Sequence, residues 1–183
     1  MERSDELLLE AYREGDETAF PELLRRYKGP LFGYLMRMAR NREMAEDLFQ
    51  ETFLRVHQKA HTFRAGAKFK GWVYTIATRI AIDHQRYNTR RPQLQIVESE
   101  APIPSLDKDP SEQTAHGELR ETVKLAVDTL PPKQRAALVL SYYQGHSYPE
   151  VAQIMGCSLS SVKTHMSRAL KRLATVLPEG GVL

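Results

Sequence analysis

Apolar side chains recur every three or four residues along most of the chain, and no stretch alternates between apolar and polar residues as a strand would. This pattern predicts helices over residues 5–14, between Asp16 and Gly29, and over residues 31–40, 43–60, 69–87, 111–129 and 133–143. Gly29-Pro30 is expected to separate the second helix from the third. Residues 88–110 lack the pattern and contain four prolines. We therefore predict an all-α fold with a helical domain over residues 1–90, a linker over 91–110 and a second helical domain over 111–178.

The last part of the pattern, residues 147–173, predicts a helix-turn-helix. Ser147 and Glu150 form the S-x-x-E signature of a capping box, and Gly156 can end the first helix with a positive φ. Ser158 can cap the second helix. The predicted buried stripe of that helix is Leu159, Val162, Met166, Ala169, Leu170 and Leu173, and its outer face carries Lys163, Thr164, Ser167, Arg168, Lys171 and Arg172. Such a pair presents its second helix to the DNA major groove, whereas the alternative is an ordinary helical hairpin with a basic outer face.

The helix predicted over residues 43–60 is acidic in its first half and leaves Leu54 on its outer side. Acidic side chains near a helix N-terminus often only complement the helix dipole. The outer side carries Asp47, Gln50, Glu51, Leu54 and Gln58. The functional interpretation is a docking surface for a basic partner, with Leu54 at its centre. The residues alone leave both interpretations open.

Between Arg55 and Arg91 the charge is reversed, because nine cations face a single acid, Asp83. Aromatic residues are interleaved with these cations. Cations that hold phosphates and rings that stack on unpaired bases, at ~1–3 kcal/mol per base, are typical of single-stranded DNA binding. For any single ring the competing interpretation is a place in the core. The apolar stripe that supports it is Phe69, Trp72, Val73, Ile76 and Ile80.

Composition sets bounds on the class of protein. The 183 residues are 42% apolar with a net charge of +3, which allows one or two small cores. The single cysteine, Cys157, excludes an internal disulfide and fits a reducing compartment. No run approaches the ~20 apolar residues of a membrane span, and the acidic N-terminus is unlike a signal peptide. We therefore expect a soluble, cytoplasmic protein.

No catalytic constellation is evident, so we expect a protein that is not an enzyme and that uses no cofactor or metal. There is no glycine-rich phosphate loop and no nucleophile–base pair. His57 and His61 have i, i+4 spacing, but no third metal ligand is obvious. Cys157 falls in the predicted helix-turn-helix turn, where a small apolar residue is expected, and this favours packing over a redox role.

Three motifs in this order resemble the extracytoplasmic-function sigma factors, group IV of the sigma-70 family of bacterial RNA polymerase specificity subunits. The motifs are DLFQETFLRVHQKAHTF at 47–63, FKGWVYTIATRIAIDHQRY at 69–87 and LPPKQRAALVLSYYQGHSYPEVAQIMGCSLSSVKTHMSRALKRL at 130–173, with the Pro-rich linker before the last. The resemblance covers nearly all of the chain. It implies one domain that binds core polymerase and recognises and melts the promoter −10 element, and a second domain that binds the −35 element.

The resemblance also implies roles for individual residues. The family binds the clamp helices of the polymerase β′ subunit with residues that correspond to Asp47, Gln50, Glu51 and Leu54. The −10 set comprises His61, Phe63, Arg64, Lys68, Lys70, Arg79, Asp83 and Arg86. The −35 set comprises Ser160, Ser161, Lys163, Thr164, Ser167, Arg168 and Lys171. Residues 130–145 correspond to the part that lies against the β flap, and the resemblance further implies an anti-sigma partner.

The chain departs from the family pattern at three positions. Arg79 stands where many relatives carry Asn, Lys163 stands where relatives often carry Arg, and near Ser167 relatives often carry a ring or Arg. Because a lysine cannot form the bidentate contact that an arginine makes to guanine, the resemblance does not imply a promoter sequence.

The rival interpretation is a stand-alone helix-turn-helix repressor or activator with an N-terminal helical dimerisation or sensor domain. Such a protein would need a self-complementary surface and a palindromic DNA site. A nuclease or recombinase is a weaker alternative, because the chain lacks the clustered carboxylates or serine nucleophile that such chemistry requires.

Overall fold

The computed structural model describes residues 3–39, 41–64, 66–90 and 122–176, which form helices joined by short turns. The helices of the first half are α1 (Asp5–Arg13), α2 (Ala19–Met38), α3 (Arg42–Lys59), a 3-10 turn (Ala60–Thr62) and α4 (Phe69–Arg90). The second half contains α5 (122–128), α6 (Pro132–Leu138), a π-helical turn (Val139–Tyr143), α7 (Tyr148–Met155) and α8 (Leu159–Val176). These ranges contain no strand, so the all-α prediction is confirmed, whereas the predicted linker over 91–110 lies outside the described residues.

Side-chain hydrogen bonds cap the N-termini of α3 and α4. The Asn41 side chain accepts a hydrogen bond from the N–H of Met44 at 2.9 Å and so begins α3. The start of α4 is capped from far along the chain, because the Glu6 carboxylate accepts from the N–H of Phe69 at 2.9 Å. This hydrogen bond is the main reason why the pKa of Glu6 is lowered. The beginning of α1 therefore fixes where α4 begins.

The predicted break at Gly29-Pro30 is wrong, because α2 continues through Pro30 without interruption. A proline inside a helix costs about 3 kcal/mol, since it removes one hydrogen bond and crowds the preceding turn. That cost is offset by one apolar stripe that runs through the whole helix. Its buried members on either side of the proline are Leu23, Tyr27, Leu31, Tyr34, Leu35 and Met38, and a fully buried large side chain contributes ~1.5–3 kcal/mol.

The central helix of the structure is α4, which packs against α2 and α3 on one side and against α6 and α7 on another. Most of its circumference is therefore covered. The buried residues of α4 are Phe69, Val73, Tyr74, Ile76, Ala77, Thr78, Ile80, Ala81 and Ile82. Of the predicted stripe, Phe69, Val73, Ile76 and Ile80 are buried, whereas Trp72 is only half-buried. The prediction did not include Tyr74. Tyr74 is buried because the second half of the chain covers it.

The two halves of the chain, residues 3–90 and 122–176, pack together in what we call the closed arrangement. Tyr74 of α4 donates a hydrogen bond to the side-chain oxygen of Gln144 at 2.6 Å. Its ring meets the buried ring of His146 edge to face, with centroids 5.1 Å apart. Burial raises the pKa of Tyr74 to about 12. The buried apolar residues of both halves accordingly form one continuous cluster.

A second set of contacts joins the C-terminal end of α2 to the second half. The carbonyl of Met38 accepts hydrogen bonds from Gln85 and, at 3.5 Å, from the buried guanidinium of Arg135. Arg135 also pairs with Asp128 at 3.3 Å. The guanidinium of Arg37 lies 4.4 Å from the centre of the Tyr143 ring, a cation–π contact. Cations near the C-terminus of α2 also complement its dipole.

None of the helices in the described part of the chain is both long enough and apolar enough to cross a membrane.

We expect Tyr34→Phe to destabilise the chain by ~1–2 kcal/mol, because it removes a buried hydrogen bond. The hydroxyls of Tyr34 and Thr78 lie 2.8 Å apart, and both side chains are buried. In the variant, the Thr78 hydroxyl loses the Tyr34 hydroxyl as its hydrogen-bond partner. Urea unfolding followed by circular dichroism measures the change. As a control, Tyr142→Phe removes an exposed hydroxyl and should change the unfolding free energy by less than ~0.5 kcal/mol.

The closed arrangement should lose stability as the pH falls below the ordinary histidine value of about 6.5. Burial, and secondarily the charge of Lys70, lower the pKa of His146, although Glu150 opposes this shift. The unfolded chain therefore binds more protons than the folded chain on the acid side, and acidification favours unfolding. The measurement is the unfolding free energy at about pH 7.5 and about pH 5.5.

The control for this prediction is the exposed His61. His146→Gln should weaken the pH dependence, whereas His61→Gln should leave it as in the wild type. His165 will contribute in the same direction, because its pKa is also lowered by burial. Equal pH dependence in the wild type and His146→Gln would contradict the assignment to His146.

Candidate functional site

The acidic face of α3 is a single exposed stripe. Asp47, Gln50, Glu51 and Leu54 recur at three- and four-residue intervals, so they lie along one side of the helix. The apolar side chain of Leu54 is 55% exposed. The opposite side of α3 is buried, as predicted, and its buried residues include Ala45, Leu48, Thr52, Phe53 and Val56. We refer to these four residues as the α3 stripe; Asp47, Gln50 and Leu54 are exposed, and Glu51 is half-buried.

Helix-dipole complementation does not account for the α3 stripe. The dipole acts mainly on charges in the first turn, and α3 begins at Arg42. Asp47 and Glu51 lie in the second and third turns, and Leu54 carries no charge at all. Glu51 pairs with Arg55 at 2.6 Å, which leaves the carboxylate of Asp47 as the more available of the two. An exposed leucine flanked by acids is typical of a docking surface.

The segment between α3 and α4 presents cations around an aromatic cluster. His61, Arg64, Lys68 and Lys70 are exposed. Behind them the half-buried Phe63 ring packs edge to face on Trp72 at 5.1 Å and on Phe69 at 6.2 Å. Phe69 is completely buried, so this ring belongs to the core. Phe63 and Trp72 lie at the edge of the cluster, where an unstacked base could meet a ring.

The exposed side of α4 carries the remaining residues of the predicted −10 set. Arg79, Asp83 and Arg86 are four and three residues apart, so they share one face, and all three are exposed. Within the described residues neither arginine forms an ion pair. This face is narrow, because neighbouring helices cover most of α4.

The helix-turn-helix is built as its sequence predicts. The capping box is present at the start of α7, where the Glu150 carboxylate accepts from the Ser147 N–H at 2.8 Å and from its hydroxyl at 2.7 Å. These hydrogen bonds lower the pKa of Glu150. Gly156 ends α7 with φ of 60°. Val162 is fully buried at the crossing of the two helices.

The predicted buried stripe of α8 is too wide. Val162, Met166, Ala169 and Leu173 are buried, but Leu159 and Leu170 are each 41% exposed. The reason is that α8 packs mainly against α6 and α7, which together cover only a narrow strip of it.

The outer face of α8 carries the predicted −35 residues. Ser160, Lys163, Thr164, Ser167, Arg168 and Lys171 are all exposed, and Ser161 is half-buried. Ser161 is part of the helix cap, because its N–H donates to the Ser158 hydroxyl at 3.1 Å. Thr164 donates its hydroxyl to the carbonyl of Ser160 at 2.9 Å. The charged groups of this face, Lys163, Arg168 and Lys171, are all exposed to solvent.

The structure brings one residue of the −10 set next to one of the −35 set. Arg86 of α4 and Arg168 of α8 line the same cavity. Pro131, Pro132, Lys133, Gln134 and His165 complete its walls. The sequence analysis did not associate these residues, because no local pattern relates positions so far apart in the chain.

No metal site is formed by the described residues, in which no three His, Cys, Asp or Glu side chains cluster. His57 is instead in hydrogen-bond contact with the hydroxyl of Tyr12 through its Nδ1. Its ring also packs near Phe20. Cys157 is a half-buried free cysteine in the turn before α8.

Two protein-family models match the chain. The model for Sigma-70 region 2 matches residues 23–91, and the model for Sigma-70, region 4 matches residues 120–173. The first match contains the α3 stripe and α4, and the second contains the helix-turn-helix.

Individual sigma factors resemble the chain over nearly all of its length. It is 33% identical over 174 residues to the RNA polymerase sigma factor CarQ of Myxococcus xanthus, an alignment that covers 93% of this chain and 96% of CarQ. It is 33% identical over 176 residues to the ECF RNA polymerase sigma factor SigM of Mycobacterium tuberculosis, covering 96% of this chain and 86% of SigM. Among solved structures, the sigma factor RpoE from Bartonella quintana, in complex with the anti-sigma factor NepR, has a TM-score of 0.69 at 27% identity. That match covers 88% of this chain and 98% of RpoE.

Proposed function

Because this chain belongs to the extracytoplasmic-function sigma factors, which direct promoter-specific transcription initiation by bacterial RNA polymerase, we propose that three of its surfaces divide that work. The α3 stripe binds core polymerase, the α3–α4 segment with α4 binds the −10 element, and α8 binds the −35 element. The observation that carries this proposal is the presence of an exposed acidic stripe and two exposed cationic faces within the regions that the two family models match.

The α3 stripe suits a basic, partly apolar partner such as the clamp helices of the β′ subunit. Leu54 supplies an apolar contact at the centre of the interface, and Asp47, which forms no ion pair with the residues that the structure describes, supplies a charge at its edge. Charges at the edge of an interface mainly speed association and select partners, whereas the buried apolar centre supplies affinity.

The −10 surface acts on separated strands. Arg64, Lys68, Arg79 and Arg86 hold the phosphates, and Phe63 offers the face or edge of its ring to an unstacked base. Trapping such a base stabilises open DNA without any covalent chemistry. His61, Lys70 and Asp83 complete the set that borders this surface.

The −35 surface reads duplex DNA through the major groove. Arg168 and Lys163 reach base edges. Hydroxyl contacts to the DNA come from Ser160, Ser161, Thr164 and Ser167, and Lys171 contacts the phosphate backbone of the DNA. Residues 130–145 lie against the β flap, and within that segment Tyr142 is 56% exposed and offers an apolar contact.

The chain acts in the cytoplasm through binding energy and is not an enzyme. An anti-sigma factor is its proposed regulator, because RpoE, which it resembles over 88% of its length, was solved with the anti-sigma factor NepR. Such a partner would compete with core polymerase for the same surfaces.

Asp47→Lys combined with Glu51→Lys should abolish co-elution with bacterial core polymerase, because a basic clamp would then face a basic stripe. The fold should survive, since both side chains lie on the outer side of α3. Size-exclusion chromatography of mixtures measures binding, and circular dichroism verifies the fold.

The matched control for this pair is Glu10→Lys with Glu14→Lys. It makes the same charge change at the same spacing on exposed positions of α1 and the turn after it. The control should bind core polymerase like the wild type. Co-elution of the α3 variant at wild-type level would refute the docking surface.

Transcription from a library of randomised promoters tests DNA recognition. The wild type with core polymerase should give defined start sites, whereas a stand-alone repressor would give none. Arg168→Ala should cost ~1–3 kcal/mol at a single −35 base pair and relax the preference there. Arg172→Ala, one turn further along α8, should leave that preference unchanged. A uniform loss of transcription over all promoters would instead indicate that Arg168 contacts a phosphate.

A further inference from the structure

The cavity between the two halves has a volume of about 280 Å³ and belongs to neither half alone. Arg86 comes from α4, and the other residues come from the segment before α6, from α6 and from α8. The seven lining residues are Arg86, Pro131, Pro132, Lys133, Gln134, His165 and Arg168. Most well-formed ligand pockets measure ~300–1,000 Å³, so this one suits a small ligand.

The charge of this cavity is unbalanced. Arg86, Lys133 and Arg168 carry positive charge, and none of the lining residues that the structure describes carries a carboxylate. Within the described part of the chain none of the three forms an ion pair or hydrogen bond through its side chain. Like charges that face one cavity repel each other, so their repulsion destabilises the closed arrangement.

One further group reports the same electrostatic environment. The pKa of His165 is lowered, first by burial and then by the charges of Lys133 and Arg168. Because His165 itself lines the cavity, these charges act on the same enclosed space.

We infer that this cavity binds a small phosphate-type polyanion, which bridges Arg86 of the first half to Lys133 and Arg168 of the second. Two arginine guanidinium groups and one ammonium group match the oxygens of phosphates, which accept several charge-assisted hydrogen bonds at once. Each phosphate group carries about 1.5–2 negative charges, so two linked groups balance three cations. A single carboxylate would leave most of this positive charge uncompensated.

A ligand that needs both walls of the cavity binds only the closed arrangement. By mass action it therefore stabilises that arrangement over any state in which the halves separate. The consequence for transcription rests on the proposed function: the bound anion would cover Arg86 and Arg168, so it would compete with promoter DNA. Binding itself is independent of the proposed function and can be measured without polymerase or DNA.

Isothermal titration calorimetry of the full chain with inorganic pyrophosphate tests the site. We expect saturable binding near one equivalent, and weaker binding of orthophosphate. Lys133→Glu and Arg86→Ala should each weaken pyrophosphate binding by about tenfold or more, because each removes one charge-assisted contact from a different half. Circular dichroism of each variant verifies that it is folded.

Matched variants separate the cavity from the general positive charge of the chain. Lys28→Glu makes the same change as Lys133→Glu on an exposed part of α2, and Arg13→Ala removes an exposed arginine of α1 outside the cavity. Both should retain pyrophosphate affinity within about twofold. The proposal would be overturned if the cavity and control variants lost pyrophosphate affinity equally. It would also be overturned if sodium chloride at equal ionic strength reproduced the effect of pyrophosphate. Retained binding in Arg86→Ala would also overturn it, because the site would then lie in one half only.

Discussion

The need to cover α4 on two sides is the constraint on which the rest of the structure depends. Apolar side chains occupy most of its circumference, and a helix of this kind is stable in water only when neighbours enclose it. The helices α2 and α3 enclose one side, and α6 and α7 enclose another. Each large side chain buried there contributes ~1.5–3 kcal/mol. The contacts between the two halves therefore belong to the main core of the protein.

The same constraint determines which part of α4 remains available for function. After packing, Arg79, Asp83 and Arg86 are left along a narrow exposed face. The closed arrangement then brings the end of that face to the cavity that Arg168 also lines. Under the proposed function, these surfaces contact two promoter elements about two helical turns apart, at ~34 Å per turn, which surfaces held this close cannot reach together. The proposed function therefore requires the halves to separate, at the expense of contacts such as those of Tyr74 and Arg135.

The helix-turn-helix could be predicted in detail because its determinants are local. A capping box, a glycine that takes a positive φ and a serine cap all act within a few residues of each other. The exposed stripe of α3 could be predicted for the same reason, since helical spacing alone decides which side chains share a face.

Two predictions were wrong where packing prevailed over local preference. Pro30 did not end α2, because a buried stripe extends on both sides of it, and Leu159 and Leu170 remained exposed, because no neighbour covers that part of α8.

The sequence by itself determined the helical class, the ends of the helix-turn-helix and the faces that carry charge, because these depend on side chains a few residues apart. The tertiary structure decided what touches across long separations. It buried Tyr74 against Gln144 and His146, capped α4 with Glu6, and grouped Arg86 with Lys133 and Arg168. No periodicity encodes such pairs, since they follow from how whole helices cover each other's apolar surface.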